Sequence, residues 1–286
     1  MPLVSAAIIT HNRAQYLGEA IASVLAQSCR DLELIVLDDG STDETPAVVA
    51  PYLDRIRYVR QDHAGKAVAR NHAVALARGA FFAFCDSDDA WYPDRIARQL
   101  AAFRRNPDVG MVHGHVSMID EHGRDLPDRT ASVRDVFGAA NRNGASYASY
   151  ALECRCFSST ILVRRSVFDV VGPYDPTLAI EDYDFYLRLL LDYDVLFLDG
   201  APLAKYRVHD AKTGALELGS GQIQTAEKHL AFLDANPYVV DARLARRNFH
   251  MMIARSARVL GDRRRARAAA LRALRLGAPQ ALRFAR

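Results

Sequence analysis

No apolar stretch in this chain approaches the ~18–20 uninterrupted residues that span a bilayer, so no transmembrane helix is expected. Cysteine is scarce. The four present, Cys29, Cys85, Cys154 and Cys156, have the spacing of neither a disulfide framework nor a zinc site. Free thiols in a reducing cytoplasm are the simplest account, with Cys154-x-Cys156 a minor redox or metal alternative. The opening Met-Pro-Leu-Val-Ser-Ala-Ala-Ile-Ile-Thr lacks the basic start and cleavage site of a secretory leader and reads as a strand. Acid is nearly missing from residues 242–286, where Asp262 stands against thirteen arginines. That segment therefore carries +12 of a total of +3, and the first 241 residues carry −9. An acidic body with a basic end is a two-part design. The basic end lacks interleaved aromatics and any recognised module, so nucleic acid is not expected as a partner. Otherwise composition is ordinary for a soluble globular protein, 50% hydrophobic and 25% charged. The 286 residues suffice for one large domain or for one domain plus an appendage.

The most informative segment present is Asp86-Ser87-Asp88-Asp89, directly after the apolar run Ala80-Phe81-Phe82-Ala83-Phe84-Cys85. A buried strand that delivers three carboxylates to a sheet edge is costly unless a cation or a donor-rich ligand sits there. Hard carboxylate oxygens suit Mg²⁺ or Mn²⁺, and such metals commonly hold a phosphate too. The bland alternative is a polar turn, with Asp89 capping the next helix.

Apolar runs at 4–10, 32–37, 56–60 and 81–85 read as strands, and helical spacing at 16–27, 42–52 and 65–78 falls between them. This alternation predicts an α/β fold with a doubly wound, mostly parallel sheet flanked by helices. Ligands of such sheets bind beyond the carboxyl ends of the strands. Thr10-His11-Asn12-Arg13, Asp38-Asp39 and Asp86-Ser87-Asp88 all follow strands and should converge there. Further along, 95–106 reads as a helix, 109–119 as a strand, 181–191 as a helix and 195–198 as a strand. Residues 124–150 are polar and receive little structure. From Ile223 onward the pattern is helical, with 242–260 and 262–276 forming a pair broken at Gly261-Asp262. Their spacing resembles a single tetratricopeptide-like unit.

With these motifs assembled, residues 3–210 resemble the family 2 glycosyltransferases, which have the GT-A fold. The opening strand with Thr10-His11-Asn12-Arg13, Leu-Asp-Asp-Gly-Ser-Thr-Asp at 37–43, Gly-Lys-Ala-Val-Ala-Arg-Asn at 65–71, Asp-Ser-Asp-Asp at 86–89 and Ile-Glu-Asp-Tyr-Asp at 180–184 match that family's blocks in order. The resemblance implies a Rossmann-like catalytic domain over 1–220, with a nucleotide-sugar half over 1–108 and an acceptor half over 109–220. The arginine-rich helical extension, 221–286, lies outside it.

The resemblance also implies roles. Asp39 accepts a hydrogen bond from the base, N3–H of uracil being favoured, as an acceptor-only carboxylate suits; an Asx turn with Gly40 is the alternative. Thr10, Asn12 and Arg13 line the base and ribose pocket, although Asn12 can equally cap the following helix and Arg13 can be a solvated charge. Arg70 helps to hold the nucleotide with its planar donor fork; Lys66, one turn earlier, is a weaker candidate. Asp86 contacts ribose or a metal-bound water, and Ser87 joins the nucleotide ligands. Asp88 ligates the divalent metal, Mn²⁺ or Mg²⁺, that bridges the diphosphate. His209 is a second metal candidate, since neutral imidazole can ligate Mn²⁺. Asp182 is the general base of an inverting transfer, against the alternative that Glu181, Asp182 and Asp184 only favour the helix dipole. Trp91 and Tyr92 either stack on a sugar or pack in the core. His113 and His115 carry no assignment.

The implied activity is transfer of a sugar from a nucleotide-sugar donor, a UDP-sugar being favoured, to a glycan or lipid-linked acceptor in bacterial polysaccharide or glycoconjugate synthesis. The implied location is cytoplasmic, with peripheral contact between the basic helices and anionic membrane as one reading of the tail. Two rivals remain at this stage. A nucleotidyltransferase acting on sugar phosphates predicts a glycine- and lysine/arginine-rich loop after the first strand, where this chain has His-Asn-Arg-Ala-Gln-Tyr. A non-catalytic scaffold acting through its basic helices leaves the intact Asp88 and Asp182 unexplained.

Overall fold

Four strands, β1 (Val4–Thr10), β2 (Leu32–Asp39), β3 (Arg57–Gln61) and β4 (Phe81–Asp86), alternate with helices α1 (Ala14–Leu25), α2 (Thr45–Val49) and α3 (Lys66–Leu76). The computed structural model describes residues 2–142, 144–154, 156–210 and 214–285. β1 pairs in parallel with β2 on one side and β4 on the other, and β3 adds in parallel beyond β2. Helices on both faces explain the unbroken apolar runs of β1 and β2. α1 buries Leu17, Ala20, Ile21 and Val24, a single stripe at helical spacing.

β4 leads through β5 (Ala90–Trp91) into α4 (Arg95–Arg105). Arg95 looks like a solvated charge in sequence but is fully buried. Its guanidinium lies 3.7 Å from the Trp91 ring centroid and donates to the Ile161 carbonyl at 2.6 Å and to Gln99 Oε1 at 3.1 Å. Burial lowers its pKa to about 9. Trp91 therefore belongs to the core, and Tyr92 O–H sits 2.9 Å from Ser117 Oγ.

The strand expected over 109–119 is two strands in two sheets, β6 (Val109–Gly114) and β7 (Val116–Ile119). The chain turns out of the large sheet at Gly114, where a Cβ would meet Leu203 Cδ1 at 2.8 Å. His115 lies beyond the turn, its carbonyl accepting from Leu203 N–H at 2.8 Å. The large sheet has seven strands in the order β3-β2-β1-β4-β8-β6-β9, with β8 (Leu162–Arg164) antiparallel to both neighbours and β9 (Asp194–Leu198) parallel to β6. The small sheet, β5-β10-β7, is built on β10 (Ala204–Arg207).

Residues 124–150, expected to be irregular, contain α5 (Pro127–Arg142) and the short α6 (Tyr147–Tyr150). α5 is mostly polar, which hid it. Leu126 just before it and Val133 within it pack against the core, and Phe137 meets Phe157 at 4.9 Å between ring centroids. Ser146 and Ser149 form a reciprocal capping box that starts α6. The remaining helices are α7 (Val167–Val171), α8 (Glu181–Asp192), α9 (Ala215–Ala235), α10 (Ala242–Val259), α11 (Arg263–Arg275) and α12 (Leu282–Ala285). The expected break at Gly261-Asp262 is present: Gly261 takes a φ of +77° and Asp262 Oδ1 accepts from Arg265 N–H at 2.8 Å, capping α11.

Two compact units divide the chain. The first comprises Met1–Gly144, Cys156–Tyr174 and Tyr193–His209, and holds both sheets. The second comprises Ala145–Arg155, Asp175–Asp192 and Asp210–Arg286, and is helical. This interleaved division differs from the linear boundary expected near residue 220. The α8 segment belongs with the C-terminal helices because Asp184 is bound to α9, as described below.

Candidate active site

The carboxyl ends of β1, β2 and β4 lie side by side, since Thr10 is in register with Asp38 and Ile9 with Asp86. Three of the segments singled out in the sequence therefore meet on one edge of the first unit. Thr10 ends β1, 1% exposed, and its Oγ1 has no hydrogen-bond partner among the described residues. An unpaired buried hydroxyl is unfavourable by about 1–3 kcal/mol, so a ligand partner would be stabilising there.

Asn12 adopts a left-handed φ of +53°. Its Oδ1 accepts from Thr42 N–H at 2.8 Å, and its own N–H donates to Ser41 Oγ at 3.0 Å. Asn12 thus ties the β1 loop to the β2 loop and does not cap α1. Asp43 Oδ2 takes that part, accepting from Ala14 N–H at 2.9 Å. Arg13 directs its guanidinium back to the Asn12 carbonyl at 3.3 Å.

The two aspartates at the end of β2 divide their work. Asp38 accepts from Ser41 N–H at 2.8 Å and from Tyr58 O–H at 2.7 Å, so it serves the turn and the neighbouring strand. Asp39 faces the loop before α3. Its Oδ1 accepts from Gln61 Nε2 at 2.7 Å and from Ala64 N–H at 2.9 Å, while Oδ2 accepts from Gly65 N–H at 2.9 Å. Burial alone would raise its pKa, but the Ala64, Gln61 and Gly65 donors prevail and hold the carboxyl below the usual range. An Asx turn with Gly40 is not formed by Asp39. Gly40 has a different reason to be glycine: φ is +76°, and a Cβ would lie 2.7 Å from His63 N.

His63 Nδ1 lies 2.9 Å from Asp39 Oδ2, and the His63 ring stacks on His11 with centroids 4.1 Å apart. Sequence reasoning assigned neither histidine. Their signal was position alone, His11 beside Asn12 and His63 just before the Gly65 block.

β4 delivers Asp86 and its turn. Arg70, on the first turns of α3 and 7% exposed, reaches Asp86 Oδ1 at 3.3 Å and lies over the Phe84 ring at 4.7 Å. Asp86 N–H donates to Ser159 Oγ at 2.9 Å. Ser87 is buried within the turn. Asp88 Oδ2 lies 2.9 Å from His209 Nε2, two groups far apart in sequence. Asp89 has a structural role, but not the helix cap expected of it. It is 1% exposed and accepts from Ser159 Oγ at 2.7 Å and Arg207 N–H at 3.0 Å, which locks the turn to β10.

Arg207 is the residue whose importance was least visible. It is buried, donates through Nε to the Asp88 carbonyl at 2.9 Å, pairs with Glu19 and stacks on Tyr16 at 4.8 Å. Its only signal in the sequence was position, two residues before His209.

Among the described residues no three His, Cys, Asp or Glu side chains converge as a ready metal group. The donor pair Asp88–His209 nevertheless fits one edge of an octahedral site, whose adjacent ligand atoms lie about 3 Å apart for Mg²⁺-like bond lengths. Two protein donors leave positions for water and phosphate oxygens, as suits a hard cation carrying a substrate.

Asp182 stands in the second unit, on the first turn of α8, partly exposed, with Oδ1 accepting from Tyr183 N–H at 2.8 Å. Its two acidic neighbours are buried. Asp184 is wholly engaged: Arg188 Nε at 2.8 Å, Lys228 Nζ at 2.8 Å and His229 Nε2 at 3.2 Å surround it. It anchors α8 to α9, which is more than an interaction with the helix dipole.

A mostly parallel sheet with polar loops after β1 and β2, an acidic turn after β4 and an antiparallel β8 define a GT-A architecture. The chain belongs to glycosyl transferase family 2, whose sequence pattern matches residues 5–172. It is 31% identical over 227 residues to an uncharacterized glycosyltransferase of Rickettsia typhi, covering 74% of this chain and 66% of the relative. This chain thus spans just under two thirds of that relative's length. It is 29% identical over 210 residues to the UDP-Glc:alpha-D-GlcNAc-diphosphoundecaprenol beta-1,3-glucosyltransferase WfgD of Escherichia coli, covering 72% of this chain and 77% of that one. Among solved structures, the mannosyltransferase PcManGT of Pyrobaculum calidifontis, in complex with GDP-Man and Mn²⁺, superimposes with a TM-score of 0.65 at 19% identity, covering 99% of this chain and 78% of that one. S. aureus TarS 1-349 in complex with UDP-GlcNAc gives 0.65 at 17% identity, covering 100% and 88%. These last two likenesses concern the fold.

Proposed function

We propose that this chain is an inverting, divalent-metal-dependent glycosyltransferase that takes a nucleotide-sugar donor, a UDP-sugar by preference, and transfers the sugar to a hydroxyl of a glycan or lipid-linked acceptor. The observation that carries the reading is the gathering of Thr10, Asp39, the Arg70–Asp86 pair and the Asp88–His209 pair along one sheet edge. Family membership supports the activity, and the acceptor named for WfgD supports a lipid-linked diphosphate substrate.

In this reading the loops after β1 and β2 hold the base and ribose. Thr10 Oγ1 offers the unpaired polar group, and Asp39 fixes the loop before α3 as well as presenting an acceptor edge. Arg70 balances Asp86, so the acidic turn can face a diphosphate without excess repulsion. Asp88 and His209 are the residues that would hold Mn²⁺ or Mg²⁺, and Arg207 keeps the Asp88 backbone in place. When bound, the metal neutralises charge on the leaving diphosphate. Asp182 takes the proton of the acceptor hydroxyl, as one carboxylate must in an inverting displacement. Family membership also weighs against a nucleotidyltransferase, whose glycine-rich phosphate loop has no counterpart at residues 11–16.

The test is a thermal-shift series with UDP, GDP, CDP and dTDP, each with and without Mn²⁺. Binding to the native state raises the melting temperature by mass action. A metal-dependent rise with UDP above the others is expected. No rise with any of the four overturns the donor-site reading.

A further inference from the structure

The second unit carries a feature that the donor site does not use. α11 turns alanine inward, burying Ala266, Ala269, Ala270 and Ala273. Its opposite face presents Arg264, Arg267, Leu271 and Arg275, all exposed, at spacings of three, four and four residues that keep them on one stripe. Arg263 and Arg272 flank the stripe and are also exposed.

Other arginines of this segment are already engaged. Arg246 pairs with Asp234, Arg265 with Glu227 at 2.5 Å, Arg255 with Glu153 at 3.9 Å, and Arg258 donates to the Arg283 carbonyl at 3.3 Å. Arg263, Arg264, Arg267, Arg272 and Arg275 have no carboxylate partner among the described residues. Five uncompensated guanidinium groups on a helix of 13 residues, about 20 Å long, repel one another unless a counter-surface neutralises them.

Residues 242–286 contain no lysine. Guanidinium binds phosphate through two parallel donors, which ammonium cannot do. Leu271 is 45% exposed in the middle of the stripe, and Leu282 is 54% exposed just beyond α11. A flat anionic lipid surface satisfies both features at once: phosphodiesters meet the arginines, and the leucine enters the headgroup–acyl boundary. A nucleic-acid groove would use the charge but leave Leu271 idle.

We propose that the outward stripe of α11, Arg264, Arg267, Leu271 and Arg275, is a docking face for an anionic phospholipid bilayer. The inference rests on the charge pattern of the second unit and does not require the donor-site reading. It adds a surface that would hold the enzyme beside a membrane-borne acceptor.

The test is flotation of the full chain with vesicles of phosphatidylglycerol and phosphatidylcholine, and with vesicles of phosphatidylcholine alone, at low and physiological salt. Binding to the anionic vesicles alone, weakening with salt, is expected. Arg264→Glu, Arg267→Glu and Arg275→Glu together should lower the partition coefficient on the order of 100-fold or more. Leu271→Asn should lower it severalfold with charge unchanged. All four residues are exposed, so melting temperature and the nucleotide-induced shift should match the parent chain and show that the variants are folded. Unchanged vesicle binding by the triple variant overturns the proposal. So does loss of binding to single-stranded RNA in that variant with vesicle binding retained, an outcome that makes the partner a nucleic acid. Vesicle binding without any nucleotide-induced shift keeps this inference and sinks the donor site, so the two fail separately.

Discussion

Asp88 Oδ2 and His209 Nε2 lie 2.9 Å apart although 121 residues separate them in the chain. Bringing them together takes the Asp86–Asp89 turn at the end of β4, the pairing of β10 with β5, and Arg207 bound to the Asp88 carbonyl. Both side chains are largely buried, and under the proposed function they are the residues that would hold the divalent cation. Mn²⁺ binding in the presence of UDP, followed by electron paramagnetic resonance, should weaken at least about tenfold in His209→Ala. Asp88→Asn should weaken it further. Arg207→Lys should also lower Mn²⁺ affinity, because lysine cannot span the Asp88 carbonyl and Glu19 together. Mn²⁺ affinity unchanged in both Asp88→Asn and His209→Ala would remove the pair from the metal site.

Thr10 offers a test in which fold and function move oppositely. Its hydroxyl is buried and unpaired among the described residues. Thr10→Val keeps the shape and removes the unsatisfied group, so the free protein should melt at the same temperature or slightly higher. If the hydroxyl waits for the nucleotide, UDP affinity should fall by roughly tenfold, about 1.4 kcal/mol. Isothermal titration beside a melting curve separates the two effects. Unaltered UDP affinity would leave Thr10 as a core residue with a small built-in cost.

The half of the fold built on local alternation was legible. β1 to β4 and the helices between them follow from runs such as Val4–Thr10 and from the stripe on α1, because pattern and packing agree there. The acidic turn at 86–89 was legible for the same reason, since charge at the end of a buried strand stands out. α5 was not, because its contacts with the core come from only a few positions such as Val133 and its sequence is otherwise polar. Nor was the split of 109–119, which depends on Leu203 and Leu198 from a distant segment closing on Gly114. Asp89 accepts from both Arg207 and Ser159, a link that only the tertiary fold assembles. Residues of that kind show as ordinary polar letters until the strands that carry them are placed.

Asp184 predicts a pH dependence of stability. Burial by itself would raise its pKa, but His229, Lys228 and Arg188 outweigh burial and hold the carboxyl well below the usual carboxylate range. A group depressed in the folded state stabilises fully above its unfolded value of about 3.9 and loses that contribution as pH falls through the folded value. Asp39 is depressed as well and acts in the same window. The chain should therefore lose stability as pH drops below about 4. Asp184→Asn leaves two cations, Arg188 and Lys228, without their counter-charge and should cost about 3 kcal/mol at pH 7. Its melting temperature should also fall less steeply on acidification, because one depressed carboxyl has gone. Parallel melting-temperature profiles for parent and variant between pH 6 and pH 2 would show that Asp184 is not linked to acid stability.

Asp182 is the assignment on which the transfer mechanism depends. Three acids open α8, and two of them have structural employment: Glu181 is buried, and Asp184 is held by Arg188 of α8 and Lys228 of α9. Asp182 keeps partial exposure and turns one oxygen to the Tyr183 N–H, which leaves the other carboxylate edge without a partner among the described residues. A general base needs that edge, since it must meet the acceptor hydroxyl directly. Asp182→Asn preserves shape and hydrogen-bond capacity while removing basicity. With UDP-sugar and acceptor supplied, kcat should fall by about 10²- to 10⁴-fold. The UDP affinity should stay within about twofold, because the nucleotide contacts argued above come from β1, β2, α3 and β4 and not from α8. Asp184→Asn should behave differently, losing stability while retaining more turnover at a temperature where it stays folded. Full turnover in Asp182→Asn would transfer the proton to another group and require a different base.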